Sequence, residues 1–193
     1  MFRTAITLLA FVPAALAAQT TASATSSMTV EGEVAAARAW RLPEEPIRRR
    51  VAEGRLKGAS EAQLALAAHK VRLTMEGAQS AMVSAGRMKP TDEEVERGGN
   101  AMERGYTREQ LQVVVKSAPS DRSLVVAFDV LTRLNEKGMP VAKALAQVQA
   151  KLEARQSDES IGTLLQAQAT ANAGGVKAST SATASVGGVI RKP

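Results

Sequence analysis

The chain contains no cysteine. That excludes disulfides, thiolate metal ligands and cysteine nucleophiles together, so an exported protein of this sequence must be held by packing rather than by cross-links. Aromatic residues are nearly as scarce, with one Trp, one Tyr and three Phe. Few side chains are therefore available to stack on bases, which argues against a nucleic-acid partner. There is one histidine, His69. Zinc needs three or four ligands, and neither an HExxH motif nor a Cys/His spacing is present. A GxSxG elbow, a Ser/Lys motif and a P-loop are also missing. These absences point away from an enzyme and call for no cofactor or metal.

What is present favours helix. Hydrophobic residues make up 45% of the 193 positions, and alanine supplies much of that share. Alanine favours helix, whereas strands draw on β-branched and aromatic residues. The expected fold class is all-α, with a core of Leu, Val, Met and Ala and closely packed helices. The length suffices for one domain with a sizeable core. Lys and Arg number 25 against 19 Asp and Glu, a net charge of +6, which is compatible with anionic partners.

Residues 1–17 read as a secretory signal peptide. Arg3 gives a positive start, Ala5 to Val12 an apolar run too short to span a membrane, and Pro13 ends that run. Ala15-Leu16-Ala17 places small residues for cleavage after Ala17. The expected location is periplasmic or secreted in a bacterium, and no later segment is apolar enough to cross a membrane. Residues 18–43 read as a disordered linker with a short helix over Val34 to Trp40, and Trp40 is expected to pack against the domain. The helical domain is expected over 44–169, and the Gly/Ser/Thr/Ala-rich segment 170–193 as a disordered tail.

Within the domain one turn recurs three times: Lys57-Gly58-Ala59-Ser60, Arg104-Gly105-Tyr106-Thr107 and Lys137-Gly138-Met139-Pro140. Glycine takes positive φ without a Cβ penalty and closes a helix. The preceding cation suits the negative helix end. The next residue packs back, and Ser60 or Thr107 caps the following helix, while Pro140 suits a first turn. The turns join 46–57 to 60–85, 91–104 to 107–118, and 120–137 to 140–155. The expectation is six or seven helices in three hairpins, forming an orthogonal or irregular bundle or a short α-solenoid-like array. Gly105-Tyr106-Thr107 followed by Leu111 resembles the Gly-aromatic-Ser/Thr loop of ubiquitin-associated domains, which are three-helix modules. The likeness covers about ten residues and is generic for two joined helices, and ubiquitin binding does not fit a bacterial exported chain.

The longest helix, 60–85, carries a heptad stripe of Leu64, Ala68, Val71, Met75, Ala78, Met82 and Ala85, broadened by Leu66 and Leu73. His69 lies off that stripe and is expected to face solvent. Thr91 with Glu94 forms a capping box. Gly98-Gly99 weakens the helix that follows, by about 1 kcal/mol per glycine relative to alanine, so a bend or break is expected there. The carboxylate pairs Glu93-Glu94 and Asp158-Glu159 fall where helices should start, and capping explains them.

The sharpest charge cluster is Arg48, Arg49 and Arg50 with Arg55 and Lys57. Three arginines near a helix N-terminus oppose its dipole, so they are candidate anion-binding residues. The competing reading is helical ion pairing, since Glu44 and Glu45 stand four residues before Arg48 and Arg49. The sequence is read as an exported, non-enzymatic interaction or scaffold protein of the cell envelope with a protein partner. The alternative is a binder of anionic lipid or lipopolysaccharide through Arg48 to Lys57.

Overall fold

The structure is a computed structural model that describes residues 28–182, with side chains described to residue 173. The expected signal peptide, residues 18–27 of the expected linker and residues 183–193 of the expected tail lie outside this range. Eight helices follow one another, with no strand among the described residues. They are α1 (Val30–Ala39), α2 (Glu45–Leu56), α3 (Glu61–Ser84), α4 (Asp92–Glu103), α5 (Arg108–Ser117), α6 (Val125–Glu136), α7 (Val141–Glu153) and α8 (Asp158–Ala182).

The helices end in a common way. At the C-terminal ends of α1, α2, α3, α4, α6 and α7 one residue takes positive φ: Arg41 (54°), Gly58 (74°), Gly86 (100°), Gly105 (97°), Gly138 (85°) and Arg155 (51°). The N–H of the residue after each returns to the last turn: Leu42 to Ala37, Ala59 to Gly54, Arg87 to Met82, Tyr106 to Ala101, Met139 to Leu134 and Gln156 to Lys151. This is the Schellman arrangement, which satisfies carbonyls that a helix end leaves free. Leu42, Tyr106 and Met139 are buried, so these turns also contribute to the core. Helix starts are equally explicit. Ser60 with Gln63, Thr91 with Glu94 and Thr107 with Gln110 form reciprocal capping boxes.

Several boundaries differ from the sequence expectation. The fold begins before residue 44: Val30, Val34, Ala37 and Leu42 are buried in the main core, and α1 is capped by Thr29. Trp40 is 56% exposed, because it stands at the C-cap of α1, past the buried Ala37 turn. Helix α6 starts at Val125 rather than near 120. Helix α8 runs through the segment expected to be disordered as far as Ala182. Leu66 and Leu73 are 63% and 46% exposed, so the apolar stripe of α3 is narrower than its sequence suggests.

Helix packing skips along the chain. Helix α3 lies against α1, α2, α4 and α5; α5 against α7; α4 against α6; and α6 against α7 and α8. Of the three expected hairpins, α2 with α3 and α6 with α7 pack on each other. Helices α4 and α5 diverge from their shared turn, α4 toward α6 and α5 toward α7.

Helices α3 and α4 share the most extensive contact, and it explains the paired glycines. Helix α4 is unbroken across Gly98 and Gly99. A Cβ at Gly99 would lie 3.2 Å from the Met75 backbone nitrogen and 3.3 Å from its Cα. A Cβ at Gly98 would lie 3.0 Å from the Ala78 Cβ. The glycines let two helix backbones meet.

Gly99→Ala separates helix propensity from packing. Propensity alone predicts a gain of about 1 kcal/mol, whereas contact with a backbone that cannot yield predicts a loss of about 1–3 kcal/mol. We expect the loss, read as a lower urea midpoint at unchanged slope.

Candidate functional site

The arginine cluster does not act as one patch. Successive residues on a helix point about 100° apart, and the three neighbours reach three different carboxylates. Arg48 donates to Glu44 (2.9 Å), Arg49 to Glu96 (2.6 Å) and Arg50 to Glu103 (2.8 Å). Arg49 therefore crosses to α4 and does not pair with Glu45. Arg55 has only a loose pair, 3.8 Å to Glu61.

These crossings belong to a ladder. Helix α4 carries Glu96-Arg97 and, one heptad later, Glu103 followed by its C-cap residue Arg104. The glutamates accept from α2, while Arg97 reaches Asp129 (3.4 Å) and Arg104 reaches Glu136 (2.5 Å) on α6. Asp129 and Glu136 are also a heptad apart. The ladder links α2, α4 and α6 through side chains that mostly remain partly exposed.

Two of the predicted residues do meet at a cavity. A cleft of about 330 Å³ lies between α1 and α2, lined by Val30, Glu31, Val34, Ala35, Arg38, Arg48, Val51 and Arg55. The valines are nearly buried and Ala35 is exposed, giving an apolar floor below three guanidinium groups. Arg38 donates to both oxygens of Glu44, at 2.7 and 3.1 Å. The two arginines on Glu44, Arg38 first and then Arg48, hold its carboxyl below the usual glutamate range. Arg49, Arg50 and Lys57 do not line this cleft. Sequence reasoning missed Arg38, which lies in the segment read as linker.

Two other polar clusters fix helices in place. Glu33 of α1 accepts from Arg72 Nε (2.6 Å) and contacts His69 Nδ1 (3.0 Å) on α3. Burial would raise the Glu33 carboxyl, but the hydrogen bonds from Arg72 and His69 hold it low. His69 is thus partly buried against α1 and does not simply face solvent.

The second cluster surrounds Glu94, whose side chain is almost fully buried. It accepts from Arg87 through Nε (3.0 Å) and Nη2, from the Thr91 N–H (3.0 Å) and from the Leu124 N–H (2.9 Å). Arg87 also donates to the Ser120 carbonyl (3.2 Å). Burial alone would raise this carboxyl, and the Arg87 guanidinium with the two backbone donors outweighs it, so the carboxyl is held low. The capping box was legible in the sequence, but the reach to Leu124, 30 residues on, was not. In a related way Arg122 joins its own loop to the next through Asp158 and the Gln156 carbonyl.

Tyr106, from the loop that resembles ubiquitin-associated domains, is a core residue. Its hydroxyl donates to the Leu131 carbonyl (3.0 Å), and burial raises it to about 12. Among the described residues no group of three or more His, Cys, Asp or Glu is placed to hold a metal ion, and no helix is long and apolar enough to cross a membrane. Compared with known proteins, the chain matches no family model, no curated protein and no solved structure.

Glu94→Gln removes the charge and puts an amide where an acceptor is required. We expect a loss of about 3 kcal/mol, the scale for breaking one side of a buried pair, seen as a lower urea midpoint. The acid side has a definite sign. A free glutamate titrates at about 4.3, and the folded Glu94 carboxyl titrates lower. Its contribution is therefore complete above that value and lost as pH falls through the folded value. A plot of Tm against pH should be flatter below about pH 4 in the variant than in the parent.

Proposed function

We propose that this chain is an exported bacterial protein, released by cleavage after Ala17, that works in the periplasm or outside the cell as a non-enzymatic interaction or scaffold protein. On this reading the helices form a short α-solenoid-like array. The next-but-one contacts of α1 with α3, α3 with α5 and α5 with α7 support it, as do those of α4 with α6 and α6 with α8. Clustered charges tie helices and loops together, so the chemistry available to a partner lies on helix faces.

The observation that carries the reading is on α3. Leu66 and Leu73 stand one heptad apart, 63% and 46% exposed, on the longest helix that lies wholly among the described side chains. Single exposed leucines are ordinary, but two on one line of a central helix offer apolar anchors to a protein partner. The double variant Leu66→Glu, Leu73→Glu tests this. Its stability should change by no more than about 0.5 kcal/mol, since both positions are at the surface. A specific envelope protein cross-linked by the parent should be lost from the variant. Identical cross-linked sets from both chains would overturn the reading.

A second reading is favoured by the cleft: binding of an anionic envelope component, lipid or lipopolysaccharide, through Arg48 and Arg55 of the Arg48–Lys57 cluster. Co-sedimentation with phosphatidylglycerol vesicles should fall as salt rises. Binding that ignores salt, or none at low salt, counts against it.

A further inference from the structure

We infer that the α1–α2 cleft is a binding site for a single medium-chain fatty-acid anion. The inference rests on the second reading above and narrows it to one cavity and one small ligand. It also adds Arg38, which the sequence cluster does not include.

The charge at the rim is left over after internal pairing. Arg38 and Arg48 share the one carboxylate of Glu44. Arg55 lies 3.8 Å from Glu61, whose side chain is 77% exposed, so this contact is too long to be a hydrogen bond. A guanidinium has five N–H donors. Arg48 uses one of its groups on Glu44, and among the described residues no hydrogen bond occupies Arg55. Both line the same cavity. A carboxylate is the anion that a guanidinium fork holds with two parallel bonds. Against this stands one acidic lining residue, Glu31, which would repel the ligand head.

The floor decides the shape of the ligand. Val30, Val34 and Val51 are 7%, 6% and 3% exposed, so most of each side chain already serves the core. Only their edges and Ala35 face the cleft. A helix with its side chains is about 10–12 Å across and needs a longer row of anchors than this floor provides. The cavity of about 330 Å³ falls at the small end of the ~300–1,000 Å³ range for small-molecule sites. A thin alkyl chain with one carboxylate matches both the floor and the rim.

The full chain is titrated with decanoate below its micelle concentration, followed by calorimetry. Decyltrimethylammonium and decanol serve as matched probes. Decanoate should bind as one equivalent, and the other two at least about tenfold more weakly, the value of one charge-assisted contact. Arg55→Gln should weaken decanoate by about tenfold. Ala35→Phe, at an exposed helical position, should block it, and Glu31→Gln should strengthen it. Thermal melts confirm that each variant is folded.

Equal binding of the cation or the alcohol overturns the inference, as does binding indifferent to Ala35→Phe and Glu31→Gln. If phosphatidylglycerol vesicles bind and decanoate does not, this inference falls while the second reading stands. If neither binds, both fall.

Discussion

A buried carboxylate is the constraint on which the middle of this molecule depends. Glu94 is withdrawn from water, and an unpaired charge there would cost several kcal/mol. It is tolerated because Arg87 and two backbone N–H groups surround it. Those partners come from three places: the turn after α3, the start of α4 and the start of α6. Leu124 cannot cap its own helix, and the nearby Ser123 hydroxyl accepts only from the Val125 N–H (3.3 Å), not from that of Leu124. The glutamate therefore satisfies a backbone donor that α6 would otherwise leave bare. In a chain without cysteine this is how loops distant in sequence are joined. The same carboxylate explains why α6 starts late: the backbone before Val125 is committed to Glu94 and Arg87 rather than to a helical turn.

Much of the fold could be read from the sequence because helix ends announce themselves chemically. Glycine at positive φ and Ser or Thr with Glu or Gln three residues on are local signals, set by steric freedom and nearby hydrogen bonds. They are present at Gly58, Gly105 and Gly138 and at Ser60, Thr91 and Thr107. The signals fail where a costlier residue does the same work. Arg41 and Arg155 take left-handed φ, a conformation that costs an L-residue about 1–2 kcal/mol. Nothing in their identity reveals it. The end of α1 at Ala39 falls one residue from the expected Trp40; what went unread is its start at Val30 and its burial in the core. Gly98 and Gly99 misled in the opposite direction, because a weak helix former and a close-packing residue have the same one-letter identity. Only the positions of Ala78 and Met75 on α3, opposite Gly98 and Gly99, separate them.

The charge cluster shows a different limit. Arg48, Arg49 and Arg50 are adjacent along the chain, yet the turn of the helix sends them to three separate carboxylates. Residues that share a helix face are three, four or seven apart, and it is Arg48 and Arg55, seven apart, that line one cavity. Their companion Arg38 comes from a different helix. Legibility of the site was therefore partial for a geometric reason. Sequence adjacency was mistaken for spatial convergence, while the actual convergence was spread over 18 positions on two elements.

The ladder across α2, α4 and α6 is better understood as a register device than as a source of stability. Partly exposed ion pairs are each worth only about 0–1 kcal/mol. Their pattern carries more information than their energy. On α4 each acid is followed by a base, in Glu96-Arg97 and Glu103-Arg104. Rotation of α4 by one residue in one sense would set Arg97 and Arg104 against Arg49 and Arg50, and in the other sense would set Glu96 and Glu103 against Asp129 and Glu136. Either way one set of pairs becomes repulsive and the other is lost. The close contact at Gly99 fixes how near α3 and α4 lie, and the ladder fixes how α4 is turned. Helix α3 is turned by its own buried stripe of Leu64, Ala68, Val71, Met75, Ala78 and Met82 and by the Arg72 bond to Glu33, which leaves Leu66 and Leu73 outward along a single line. The exposed apolar face is then a consequence of the packing rather than a failure of it.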